Sequence, residues 1–234
     1  MNRKLIATTA ACALAGSLAI GSTFAYLTDR QTAKNTFTVG SVEISLTEPN
    51  FEEENAQNIL PNQLIAKDPT IQNTGKNDAI VFARVTVPTK TVLTAEEAAA
   101  GKSTADTTHE LFTLLDGSSA EISDSYARGT ADTPGWTVLS HTTGTGVNYY
   151  VLGYTQKIAP KGTAPAVFDS VRYLNVVEGQ VSEELNVDVE AFAIQSGSIQ
   201  GIDTSSLSKD TLKQVFDTYL NQNPTEKIST GTGA

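Results

Sequence analysis

The chain has 234 residues, with 26 Asp and Glu against 16 Lys and Arg, giving a formal net charge of −10. Binding to a phosphate backbone needs clustered Lys and Arg, so the balance excludes nucleic acid as a partner and argues against an anionic membrane surface. One cysteine, Cys12, excludes a disulfide scaffold and leaves stability to a hydrophobic core.

In chain order, Arg3 and Lys4 come first, followed by the uncharged run Leu5 to Ile20. That run is rich in Ala, Thr and Ser and is shorter than the roughly 20 apolar residues a bilayer span takes. Gly21 interrupts it, and Thr23 and Ala25 place small residues at −3 and −1 of a cut between Ala25 and Tyr26. A positive start, an apolar middle and a small-x-small end describe a secretory signal peptide. Residues 1–25 are therefore expected to be removed and the rest secreted, to the extracellular matrix or the cell surface. Cys12 leaves with the leader, and Thr9 three positions before it does not suit lipidation.

The next run, "NTFTVGSVEISL", alternates. Phe37 and Val39 share one parity and Val42, Ile44 and Leu46 the other, so a bulge or break is expected at Gly40-Ser41. A turn-rich stretch with Asn73, Gly75, Asn77 and Asp78 leads into "AIVFARVTV". There Ile80 and Phe82 oppose Val81, Val85 and Val87, which predicts a strand covered on both faces. "TAEEAAAG" predicts a short helix with Thr94 as N-cap and Gly101 at its end. "GWTVLSHT" and "VNYYVLGYTQKI", joined by "TGTG", predict a hairpin. Ala159-Pro160-Lys161-Gly162 reads as a type I turn. "AVFDSVRYLNVV" and "ELNVDVEAFAIQ" add strands. Leu212, Val215, Phe216 and Tyr219 recur at helical spacing before Pro224, and that stripe is expected to pack on the domain.

Many short strands without βαβ alternation predict an all-β fold, a jelly-roll-like antiparallel β-sandwich with two short peripheral helices. The sandwich is expected over 26–224, with an irregular excursion at about 89–135 and a flexible tail at 225–234.

Catalytic patterns are sparse. His109-Glu110 resembles the first half of a zinc-protease helix motif, but Thr113 stands where the second His is required. His141, the other histidine, has no carboxylate beside it in sequence and reads as a surface residue. There is no G-x-S-x-G elbow and no calcium-loop spacing. No catalytic residue, metal ligand or cofactor is assigned, and an enzyme is the less favoured class.

The stretch "GSTFAYLTDRQTAKNTFTVGSVEISL" resembles the start of the TasA and camelysin family of secreted Gram-positive proteins. Gly21, Thr23, Phe24 and Ala25 match the leader end, and Tyr26, Asp29, Asn35, Phe37, Gly40 and Leu46 match the start of the mature chain. "KDPTIQNTGKNDAIVFARV" and "VDVEAFAIQS" look like the second segment and the closing strand. The resemblance covers both ends of the mature chain and little of its middle. It implies a jelly-roll fold and processing by a SipW-type signal peptidase. It also implies self-association into biofilm-matrix fibres, the N-terminal segment of one subunit completing the sheet of the next. Other matrix or cell-wall components are further expected partners. Camelysin itself has been classed as a metallopeptidase.

The residues are compatible with strand donation. "TAKNTFTVGS" has one charge, Lys34, and no proline, so nothing in it blocks pairing with an open sheet edge. Phe37, Val39, Val42 and Ile44 are the expected assembly strand; pairing within one subunit is the alternative. A secreted structural protein is thus the leading expectation. A secreted adhesin or ligand-binding module and a camelysin-like metalloendopeptidase are the alternatives.

Overall fold

The computed structural model describes residues 42–130, 132–178, 185–197, 199 and 201–226. The chain divides after Gly40, and everything described lies in Ser41–Ala234. Ala25, Tyr26, Phe37 and Val39 lie outside the described residues, as does most of the expected tail.

The run expected at Ala79 to Val87 is a strand, and a longer one: β4 spans Ala79–Thr94. Its alternation sends Ile80 and Phe82 to one core and Val81, Ala83, Val85 and Val87 to another, all without solvent exposure. That is the pattern of a strand buried on both faces. β11 (Asp188–Gln195) and β8 (Val147–Tyr154) flank it, both antiparallel. β7 (Trp136–Thr143) joins β8 through the expected hairpin, where Gly146 takes φ +72°.

Regular structure continues past Pro88, into the stretch expected to be irregular. Proline has no N–H to donate, but its carbonyl accepts from the Leu111 N–H at 2.8 Å. Beyond it β4 exchanges its partners. Thr89–Val92 pair with β5 (Thr107–Glu110), and Leu93–Thr94 pair with β10 (Val176–Glu178). The proline therefore sits at the change of partners, where a missing donor interrupts least. The short helix α1 (Ala95–Ala99) comes next with a full capping box: Thr94 Oγ1 accepts from the Glu97 N–H, and the Glu97 carboxylate accepts from the Thr94 N–H.

A second layer faces this sheet. β9 (Ser170–Tyr173) lies between β2 (Leu64–Ala66) and β6 (Phe112–Leu115), all antiparallel. β1 (Ile44–Thr47) pairs with β3 (Thr70–Asn73) alongside. Between the layers lies the larger core, with Ile65, Ile71, Phe112, Trp136, Leu152, Phe168 and Val171. The architecture is the expected all-β antiparallel sandwich with two α-helices among the described residues. One turn differs from expectation. Lys161, third in Ala159–Gly162, takes φ +65°, which belongs to a type II turn rather than type I.

The outer face of the central sheet is covered by α2 (Lys209–Gln222), capped by Ser208. Leu212, Val215 and Phe216 are buried against Ile80, Phe82, Leu139, Val151 and Phe192, so the apolar stripe packs on its own domain. Gly153 on β8 permits the close approach. A Cβ there would lie 3.1 Å from both Leu139 Cδ1 and Leu212 Cδ1.

Candidate functional site

A groove of about 820 Å³ opens between β2, which pairs only with β9 among the described residues, and the run Leu185 to Asp188 that leads into β11. Its floor is apolar. Ile65 and Phe112 come from the core, and Phe51, Ile59, Leu185 and Val187 pack against that core from the sides. The Phe112 and Tyr173 rings meet at 5.5 Å. The rim is polar, with Glu53, Gln57, Asn58, Asn186 and Asp188. Lys67 on the rim is held by Glu48 at 2.7 Å and lies 4.9 Å above the Phe51 ring. Leu64, which alternates with Ile65 onto the outer face of β2, stays exposed, and so does Leu60 nearby.

Sequence reasoning did not find this groove. Its walls come from segments more than a hundred residues apart, and the one local trace was the alternation of Leu185 and Val187 ahead of Asp188. The alternation continues the β11 face, although the ladder with β4 begins only at Asp188.

Of the four expected assembly residues, Val42 and Ile44 are described. Both pack against the larger core, and Ile44 pairs with Asn73 of the same chain. β1 also runs beside β11. The turn beyond β3 is built on Asn73, which is fully buried. Its Nδ2 donates to the carbonyls of Asn77 and Ile158, each at 2.8 Å, and its Oδ1 accepts from the Gly75 N–H.

The histidines occupy separate settings. His109 lies on β5, not on a helix, and its Nε2 is 3.2 Å from Glu97 Oε2. The Thr94 backbone bond, then Lys102, hold the Glu97 carboxyl down at about 2. Glu110 is the next residue on β5 and so points to the opposite face. There it accepts from Tyr150 Oη at 2.9 Å and Asn148 Nδ2 at 2.7 Å, and meets His141. Burial, then the Glu110 charge, push the Tyr150 hydroxyl up. His141 is not the isolated surface residue expected. Its Nδ1 is 2.6 Å from Asp124 Oδ1, its Nε2 is 3.3 Å from Glu110 Oε1, and its ring stacks on Tyr150 at 4.1 Å.

A zinc ion needs convergent ligands, and an imidazole lends it a lone pair from one nitrogen only. Here the two imidazoles belong to opposite faces of β5, and the carboxylates near His141 sit on opposite edges of its ring. Among the described residues no group of three His, Cys, Asp or Glu could hold a metal.

Residues 1–115 match the camelysin metallo-endopeptidase family. Over that stretch, just under half of its length, the chain is similar to that family. No curated protein and no solved structure matches the chain. The matched stretch ends at Leu115, the last residue of β6. It holds His109, Glu110 and one wall of the groove, with Phe51, Ile59, Ile65 and Phe112. His141, Asp124 and the opposite wall lie beyond it. The metal that the family's description implies therefore finds no fitting ligand set, inside the matched stretch or across its boundary, among the described residues.

Proposed function

We propose that this is a secreted structural protein of an extracellular matrix, assembling head to tail as one copy donates the segment upstream of β1 to another. The groove beside β2 is the observation that carries the reading. It combines an apolar floor, a polar rim and an unpaired strand edge, which is what an extended segment of alternating character requires. Phe37 and Val39 supply that alternation. Ile44–Thr47 is occupied by β3, so the donated part is 26–41 and β1 is the joint that stays with its own body.

A donated strand contributes main-chain hydrogen bonds at about 0.5–1.5 kcal/mol net each. Complete burial of Phe37 and Val39 contributes about 1.5–3 kcal/mol each. A head-to-tail contact whose rotation does not close gives a filament rather than a ring. Removal of a leader ending at Ala25 would free the segment, with a SipW-type signal peptidase as the processing partner.

The test is electron microscopy of the processed protein beside a form lacking Tyr26 to Thr38 and a Phe37→Asp variant. Fibres are expected from the first alone, since Asp would bury a charge without a partner. Fibres of unchanged width and yield from the truncated form would refute strand donation.

A further inference from the structure

His141 reaches its position through an irregularity. The β7–β8 register shifts between Val138 and Ser140, leaving Leu139 as an extra residue. Val138 pairs with Leu152, Ser140 with Val151 and His141 with Tyr150. Without the bulge, His141 would share the face of Leu139 and point at α2. With it, His141 joins Tyr150 on the opposite face, beside Glu110 of β5. Asp124 arrives from the loop 116–128, which borders β7: the Val138 N–H donates to the Tyr126 carbonyl and the Arg128 N–H to the Trp136 carbonyl, each at 3.0 Å.

Among the described residues, every titratable group facing the ring is an acid or a phenol. Glu110 comes from β5, Asp124 and Glu121 from the loop, and Tyr150 from β8. Neutral imidazole has one N–H. If Nδ1 carries it, the Nε2 lone pair faces the Glu110 carboxylate, and Nε2 is buried without a hydrogen bond. If Nε2 carries it, the Nδ1 lone pair lies 2.6 Å from a carboxylate oxygen. Only the doubly protonated ring presents an N–H to both acids.

We infer that His141 is a proton-dependent clip: charged, it fastens the tip of the 116–128 loop, residues 123–125, to the sheet; neutral, it lets that tip open. Charge-assisted bonds are the stronger kind, and histidine is the side chain that ordinarily changes charge between about pH 5 and 8. The clip closes as pH falls and releases as pH rises. The remainder of the loop is tied independently. Asp116 accepts from Ser118, Ala120, Tyr126 and Arg128, and the Ile122 N–H donates to the Leu114 carbonyl at 2.9 Å, so opening is local, at residues 123–125.

The test is backbone amide exchange of Tyr126, whose N–H donates to the Ser123 carbonyl at 2.9 Å, in the intact protein, corrected for the intrinsic pH dependence of exchange. In the wild type, protection should fall about two- to fivefold as pH rises, the loss of one largely exposed charged pair. His141→Gln should show the low value at every pH. Asp124→Asn changes a largely exposed side chain, so it keeps the fold and should also flatten the profile. His109→Gln should retain the full change. A flat wild-type profile would overturn the inference. So would an unchanged fall in the Asp124→Asn or His141→Gln protein, because the titrating group would then lie elsewhere.

Discussion

The seat of α2 on β8 makes a coupling that two substitutions can measure. A methyl group added by Gly153→Ala would lie 3.1 Å from Leu139 Cδ1 and Leu212 Cδ1, and 3.4 Å from Leu212 Cβ. Overpacking of this kind costs about 1–3 kcal/mol. Leu212→Ala removes a side chain with no solvent exposure and costs about 2–5 kcal/mol, part of it for the cavity left behind. In the double variant the methyl enters the space that Leu212 vacated, so the two losses should not add. Neighbours in contact typically couple by about 0.5–3 kcal/mol, and here the double variant should be at least about 1 kcal/mol more stable than the sum predicts. Urea unfolding of the four proteins, with slopes compared to confirm a shared two-state transition, gives the cycle. Additivity within about 0.5 kcal/mol would refute the reasoning, because α2 would then not be pressed against Gly153 in solution.

N-terminal sequencing of the secreted protein should begin Tyr-Leu-Thr-Asp; a form that retains Leu18 to Ala25 would place the cut elsewhere. Glu97 has a folded value of about 2 against an ordinary 4.5, so its stabilising contribution is present above about 4.5 and is lost as pH falls towards 2. Acid titration should therefore show Glu97→Gln lacking part of the wild type's loss of stability in that window. Metal analysis should find no stoichiometric zinc in the purified protein, with no chelator-sensitive cleavage of casein. A zinc content that falls on His109→Ala would point to a ligand set involving residues outside those described.

The sequence made legible the features that depend on near neighbours. Ile80 and Phe82 against Val81 and Val85 announced a strand buried on both faces, and Leu212, Val215 and Phe216 announced one stripe of a helix. Thr94 announced its helix N-cap, and the structure adds the reciprocal bond from Glu97 that completes a capping box. The extension of β4 past Pro88 was not legible, because its new partners arrive from Thr107–Glu110 and Val176–Glu178. Lys161 was misread because a positive φ usually belongs to Gly or Asn, and the glycine stands one place later. The setting of His141 was hidden twice. Parity counted through Leu139 gives the wrong face, and neither Glu110 nor Asp124 is near it in sequence. The groove was hidden for the same reason, since Ile59 and Val187 meet only when the two layers do.

The sharing of four short rungs between β1 and β3 has a mechanical meaning. Tension passed along the chain to Val42 meets Ile44–Thr47, whose ladder among the described residues joins Thr70–Asn73, with the Glu43 carbonyl accepting from the Thr74 and Gly75 N–H groups just ahead of it. Drawn along its own axis, that ladder is loaded in shear and its rungs resist together. Drawn sideways, it peels one rung at a time, starting at Glu43. The sixteen-residue β4 contributes no rung to that ladder, so peeling it breaks none of the spine's own hydrogen bonds.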